Sequence, residues 1–313
     1  MCFPSNSKPF IKWAGGKGKL LGQLDNFLPR RLYSEKFTYI EPFVGGGAML
    51  FHMLGKFPNI ARVVFNDINE DLIKSYRTVR NFPQQLISGL AKMEADYLAL
   101  DSDVARKDFY LNVRKQFNSH QSDDIQNSVY LMFLNKTCFN GLYRVNSRGE
   151  FNVPIGSYAH PVICNADTIL ADSKVLNVCN VEIVSGDFNN LSSYIDPTIL
   201  TFFYFDPPYR PLTQTSSFTA YAKGNFNDDD QKRLAEFCGQ IGEAGALWML
   251  SNSDCSAKNP EDTFFEDLYR GSNIERVYAS RSINANPSKR GKLTELLIHN
   301  DYEIANSVIL KAI

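Results

Sequence analysis

The stretch Asp206-Pro207-Pro208-Tyr209 joins an acceptor carboxylate, a stiff turn and a stackable ring. Two consecutive prolines fix the backbone and remove two N–H donors, so the carbonyls of the turn meet no competing donor from their own residues. That combination suits an exocyclic amine on an aromatic ring. Such an amine is a poor nucleophile because its lone pair is delocalised, and the pair becomes available only as the nitrogen turns tetrahedral. The Asp206 carboxylate and the Pro207 carbonyl can accept its two N–H groups and stabilise the positive charge that builds as nitrogen attacks a methyl group. Tyr209 offers a ring on which the base can stack. An ordinary loop after a strand also reads this way often enough that the tetrapeptide alone does not settle the matter, and it serves any planar amine.

A second set lies near the N-terminus. Gly45-Gly46-Gly47 leaves no side chain between backbone and ligand, and Asp67 follows about 20 residues later, the spacing used to grip a ribose hydroxyl in nucleotide-binding folds. The glycine phase is wrong for a dinucleotide, which requires G-x-G-x-x-G. S-adenosylmethionine, which has no pyrophosphate, fits better. Taken alone, the cluster reads first as a tight turn beside a solvated aspartate. Lys12-Trp13-Ala14-Gly15-Gly16-Lys17 resembles a phosphate loop only superficially, because Gly18 stands where the hydroxyl residue belongs. Trp13 can pack on an adenine or methionine moiety and Lys17 can neutralise a carboxylate. A core tryptophan beside a surface turn is an even alternative.

These groups need elements to hold them. Residues 37–40 read as a strand, 45–47 as a turn and 48–54 as an apolar helix. Residues 62–65 form a second strand ending on Asn66-Asp67, and the spacing of Ile68, Leu72, Ile73 and Tyr76 predicts a helix over 68–79. Further strands are expected at 181–184, 247–250, 274–278 and 293–298. Residues 199–205 are continuously apolar, as in a strand buried on both faces of a parallel sheet, and lead into Asp206. Asn227 to Asp230 can cap a helix. The Gly45 loop, Asp67 and Asp206 therefore all fall at carboxyl ends of strands, the edge where open α/β sheets bind ligands. Helical stretches at 91–100 and 127–134, then a polar segment at 135–158, interrupt this pattern. We expect a catalytic domain made of residues 1–80 and 168–313, with residues 81–167 inserted.

At 313 residues and 44% hydrophobic, the chain can bury a substantial core. With 33 basic against 34 acidic residues, any affinity for nucleic acid must come from a local patch. The six cysteines are scattered without metal-ligand spacing, which suggests reduced thiols and no metal site. No apolar run approaches the ~20 residues of a membrane helix, and no signal-peptide core is visible. The expectation is a cytoplasmic protein of a bacterial cell, or a phage protein acting there, with no membrane partner.

The inserted segment supplies the patch: Lys136, Arg144 and Arg148 lie beside Phe139, Tyr143, Phe151 and Tyr158, mixing phosphate-binding charge with rings. Arg144 can donate a bidentate pair to a guanine, and Leu142 can meet a thymine methyl. For an arbitrary arginine, a solvated hairpin is the better reading. Ser288 to Lys292 forms a basic turn that reads first as solvated loop, and residues 216–226 are expected to form a flap after the catalytic turn.

In order along the chain, the blocks 10–17, 39–47, 65–69, 140–144, 149–154 and 205–209 resemble one family, the Dam-like DNA adenine-N6 methyltransferases. The resemblance implies an α/β fold: a Rossmann-like S-adenosylmethionine-dependent methyltransferase sheet with helices on both faces and an inserted, mostly helical target-recognition domain. It also implies transfer of a methyl group from S-adenosyl-L-methionine to N6 of an adenine flipped out of double-stranded DNA, within GATC. Trp13, Ala14, Gly15, Lys17, Pro42, Phe43, Gly45, Gly47, Asp67 and Asp206 are implied cofactor neighbours, and Asp187-Phe188 matches the segment near the cofactor adenine. Lys12, Asn140, Leu142, Arg144, Pro154 and Tyr158 match positions that touch DNA, with Lys136, Phe139 and Asn146 beside them. Phe139 stands where relatives often have Tyr, and Ser157 where some have Arg. The remaining alternatives are methylation of another planar amine (cytosine N4, RNA or a protein amide) and a catalytically silent DNA-binding relative. A monomer is expected, with a dimer open.

Overall fold

The computed structural model describes residues 7–178, 180–212, 226–279 and 293–305. The expected flap, for residues 216–225, and the Ser288 to Lys292 turn lie outside them. Seven strands form one sheet: β1 (Phe37–Glu41), β2 (Ile60–Asp67), β3 (Val181–Ser185), β4 (Leu200–Phe205), β5 (Leu247–Ser253), β6 (Asn273–Ala279) and β7 (Leu293–His299). The order is β3-β2-β1-β4-β5-β7-β6. β1 to β5 run parallel and β7 is antiparallel to both β5 and β6. After β3 the chain returns to place β4 against β1, so the winding direction reverses between these two strands. That reversal opens a crevice outside their carboxyl ends, the ligand site of doubly wound folds.

Side chains alternate between two cores, as the two-residue period of a strand demands. Tyr39, Val63, Phe202, Tyr204 and Met249 face one. Ile40, Val64, Phe203, Phe205 and Trp248 face the other. All six residues of β4 are buried, which accounts for its unbroken apolar run. The helices are α1 (Leu21–Leu24), α2 (Ala48–Lys56), α3 (Glu70–Asn81), α4 (Pro83–Leu98), α5 (Asp103–Ser119), α6 (Asp124–Thr137), α7 (Ala166–Val178), α8 (Asp228–Glu243) and α9 (Phe264–Leu268). α2 to α7 contribute to the first core, while α8 and α9 cover the second. The fold is thus α/β with helices on both faces, as expected.

Two local expectations change. Ile68 does not begin the helix over 68–79: it is 56% exposed, and Asn69 caps α3 by accepting from the Leu72 N–H at 3.0 Å. α5 and α7 were not anticipated, because their apolar residues are diluted by charge and serve only one side. Asn227 caps α8 in a reciprocal capping box with Asp230, as its sequence suggests. α4, α5 and α6 pack on the first core rather than forming a separate one: Ser128 Oγ on α6 bonds Thr78 Oγ1 on α3 at 3.0 Å, and Asn127 donates to Asp71 at 2.9 Å.

Candidate active site

The glycine turn after β1 is built for close approach. Gly45 and Gly47 have φ of 49° and 78°, in the left-handed region that favours glycine. A Cβ on Gly45 would lie 2.8 Å from Trp13 Cδ1, and one on Gly47 2.5 Å from the Tyr76 hydroxyl oxygen. Asp67, the last residue of β2, accepts the Gly45 N–H at 3.0 Å and the Asn69 N–H at 2.9 Å. Burial pushes its carboxyl up to about 6 against those amides. Asp67 thus ties the turn to the sheet as well as facing the crevice, rather than ending in solvent.

Asp206 follows β4 immediately. Its Oδ1 lies 2.8 Å from Lys17 Nζ, an ammonium only 4% exposed that also donates to the Gly15 carbonyl at 3.1 Å. The sequence suggested Lys17 as a neutraliser of some ligand carboxylate; the protein's own Asp206 already occupies it. Burial raises the Asp206 carboxyl, the Lys17 ammonium opposes that rise, and Glu295 on β7 adds to it. Tyr209 donates its hydroxyl to Glu295 at 2.7 Å, and the Lys17 ammonium lies 4.4 Å from its ring centre. The Pro208 carbonyl accepts from Gln231 Nε2 at 3.1 Å, and Gln231 is held in turn by the fully buried Asn252 at 3.1 Å. Among the described residues no hydrogen bond ends on the Pro207 carbonyl.

Asp206, Pro207, Pro208 and Tyr209 line a cavity of about 520 Å³ together with Trp13, Ala14, Gly15, Lys17, Pro42, Phe43, Gly45, Gly47, Asp67, Asp187 and Phe188. The residues expected at the cofactor therefore share one cavity with the tetrapeptide. Its volume falls within the roughly 300–1,000 Å³ of small-molecule sites. One end is aromatic: Phe43 lies 5.5 Å from Phe188 and 5.7 Å from Phe226. Asp187 sits beside it, paired to Arg233 at 2.6 Å. Glu41, Gln231, Arg233 and Glu295 were not singled out from the sequence. They are dispersed polar residues without a motif, and only chain folding brings them to the site.

The segment of residues 136–158 is arranged differently. Residues 142–153 form a hairpin, with Val145 bridged to Phe151. Tyr143 and Phe151, expected as free rings, are buried: Tyr143 stacks on Trp13 at 5.2 Å and Phe151 packs near it at 5.8 Å. Their apolar area completes the first core. Leu142 is half-buried, packed against that core. Arg144 is exposed and donates to Asn152 Oδ1 at 2.7 Å. Asn146 closes the hairpin turn, accepting from the Arg148 and Glu150 amides at 2.9 and 3.0 Å. Phe139 is 52% exposed, next to Asn140, whose φ is 56°. Pro154 is exposed and its carbonyl takes the Phe139 N–H at 2.9 Å. Lys12 stands 5.5 Å from the Tyr158 ring centre. Burial lowers the Lys136 ammonium, with Lys12 and Lys8 adding like-charge repulsion. Lys12, Lys136, Asn140 and Leu142 line a second cavity of about 1280 Å³, which shares Trp13, Ala14, Gly16 and Ala48 with the first.

Among the described residues no cluster of His, Cys, Asp and Glu is placed to hold a metal ion, and no helix is long and apolar enough to cross a membrane.

Residues 13–283 match the family model described as D12 class N6 adenine-specific DNA methyltransferase. The chain is 47% identical to the type II methyltransferase M.MjaIII of Methanocaldococcus jannaschii over 94% of this chain and 99% of that one. It is 36% identical to the type II methyltransferase M1.LlaDCHI of Lactococcus lactis subsp. cremoris over 94% and 96%. It is 35% identical to the DNA adenine methylase of Vibrio cholerae over 93% and 95%. The matched stretch runs through the glycine turn, the hairpin and the Asp206 turn, so the cavity and the segment beside it fall within what these proteins share. The chain belongs to the D12 class of N6 adenine-specific DNA methyltransferases and is an adenine-specific DNA methyltransferase.

Proposed function

We propose that the chain methylates N6 of an adenine swung out of duplex DNA, within GATC, and that Asp206, Pro207, Pro208 and Tyr209 are its catalytic centre. The reading is carried by one observation: a half-buried aspartate and a proline carbonyl that no hydrogen bond among the described residues reaches stand next to each other in the wall of an aromatic-ended cavity. That cavity has the donor set for S-adenosylmethionine. Phe43 and Phe188 offer ring faces to a purine, Asp67 is an acceptor for ribose hydroxyls, and Trp13, Gly15 and Lys17 flank the opposite end. Bound there, the cofactor supplies an electrophilic methyl group on a positively charged sulfur. Asp187 is the neighbour of the purine end, and Ala14, Pro42, Gly45 and Gly47 form the walls.

The chain's own residues do the rest. Asp206 and the Pro207 carbonyl accept the two N–H groups of the adenine amine, so the lone pair is directed at the methyl as the nitrogen becomes tetrahedral. Tyr209 stacks on the extruded base and offsets part of the few kcal/mol that unstacking costs. Exposed Phe139 fills the space the base leaves. Arg144 exchanges Asn152 for a guanine edge, while Lys12, Lys136, Asn140, Leu142, Asn146, Pro154 and Tyr158 line the path of the duplex. The enzyme is taken to act as a monomer in the cytoplasm, where DNA and cofactor meet.

Transfer of a labelled methyl group to duplexes with GATC, with the site scrambled and without adenine tests this. Incorporation confined to GATC, with N6-methyladenine in the digest, is expected. Equal incorporation into the scrambled duplex would overturn the site, and none into any duplex would overturn the proposed activity of this cavity.

A further inference from the structure

Glu295 lies on β7, the antiparallel strand inserted between β5 and β6, far in sequence from every other group at the cavity. Its Oε2 accepts the Tyr209 hydroxyl at 2.7 Å and stands 3.8 Å from Lys17 Nζ, and its side chain is 16% exposed. Lys17 therefore serves two carboxylates, Asp206 at 2.8 Å and Glu295 at 3.8 Å. An ammonium held by Asp206 alone would neutralise that carboxylate and weaken it as an acceptor. A second carboxylate drawing on the same ammonium leaves Asp206 more basic, because Coulomb interactions in a buried site are weakly screened. The hydrogen bond from Tyr209 also fixes where its ring stands, since a tyrosine anchored at its hydroxyl cannot swing about its first side-chain torsion.

We infer that Glu295 is a positioning residue for methyl transfer: it shares the Lys17 ammonium so that Asp206 is only partly neutralised, and it anchors Tyr209 for stacking. This rests on the assignment of Asp206 as acceptor of the reacting amine. Among the described residues, six titratable groups face Asp206 from the elements packed against it. They are Lys17 from the turn before α1, Glu295 from β7, Tyr204 from β4, Tyr39 and Glu41 from β1, and Tyr209 from its own turn. Of these, Lys17 is the cation, and Glu295 is the carboxylate that shares it and adds to the rise of the Asp206 carboxyl.

Glu295→Gln separates charge from hydrogen bonding, because the amide oxygen still accepts from Tyr209. In single-turnover methylation of a GATC duplex, Glu295→Gln is expected to shift the acid limb of the rate to lower pH by roughly half a unit or more, since loss of the like charge makes Asp206 easier to ionise. The plateau rate should fall about tenfold as Asp206 becomes a weaker acceptor, with KM for DNA unchanged. A purely structural role would leave the acid limb in place. An acid limb and plateau coincident with wild type overturn the inference. Asp206→Ala, measured alongside, separates the two readings. If it retains the wild-type rate, the assignment of Asp206 fails; if it is dead while Glu295→Gln matches wild type, only the role of Glu295 fails. Should Glu295→Gln not fold, as judged by its melting curve, Tyr209→Phe removes only the hydroxyl. It should lower the single-turnover rate severalfold at unchanged KM, and a wild-type rate overturns the anchoring.

Discussion

The cavity at the strand ends and the hairpin of residues 142–153 use polar groups in opposite ways. In the cavity, Lys17, Asp206, Tyr209 and Glu295 are bound to one another and largely shut off from solvent, so the charges are in place before any ligand arrives. In the hairpin, Arg144 is exposed and engaged with Asn152, a bond it would have to exchange to read a base as proposed. Preorganised charge lowers a barrier because nothing must reorient as the transition state forms. A reading head gains from the reverse arrangement: a correct base replaces the lost bond, whereas a wrong one leaves a donor unpaired. The two regions are joined through Trp13, which lines the cavity and stacks on Tyr143 of the hairpin.

The largest effect that can break this contrast is at Asp206. Asp206→Ala should lower the single-turnover rate by about a hundred- to a thousandfold or more, while the affinity for a GATC duplex in a gel-shift or anisotropy titration stays within a few-fold. Equal losses in both would mean that the cavity is not a separate chemical unit. Because burial holds the Asp206 carboxyl above its ordinary 3.8, the wild-type rate should decline on acidification at a higher pH than a free aspartate would dictate.

Arg144→Ala sharpens the other side. It should cost about 1–3 kcal/mol of discrimination at one guanine, roughly 5- to 150-fold in relative kcat/KM between matched and substituted duplexes, without changing the single-turnover rate on the matched site at saturation. A uniform weakening across all sequences would make Arg144 a phosphate contact.

The smallest effect concerns the segment that carries Lys12, Trp13 and Lys17 to both regions. Asp172 on α7 accepts the Lys8 N–H at 3.1 Å, its other oxygen has no partner among the described residues, and burial pushes its carboxyl up to about 8. A folded-state value above the unfolded 3.8 means that the stability from the protonated group is full below about pH 4 and is lost as pH rises towards 8. Asp172→Asn should therefore melt a few degrees above wild type at pH 8.5, at roughly 2–4 °C per kcal/mol recovered, with the difference vanishing near pH 4. A variant that melts lower at every pH would show that the carboxyl contributes more than its neutral form.

Much of the cavity was legible because its parts follow local rules. The turn at Gly45 to Gly47 needs positive φ, β4 needs an unbroken apolar run to be buried on both faces, and Asp67 ends, and Asp206 directly follows, a strand whose direction the pattern already implies. The hairpin and the turn before it were legible as a segment but not residue by residue. Tyr143, Phe151 and Phe139 look alike in sequence, yet two complete the core and the third is exposed.

The amino-acid sequence by itself determined the strand-turn-helix units, the placement of glycine and carboxylate at strand ends, and the resemblance that names the family, since each depends on residues close together in the chain. Only the tertiary structure decided that Lys17 belongs to Asp206, that Glu295 reaches both from β7, that Gln231 holds the Pro208 carbonyl, and which rings are free. Those partners are separated by up to hundreds of residues, and side-chain pairing across a sheet is set by strand order and register, which no local spacing encodes.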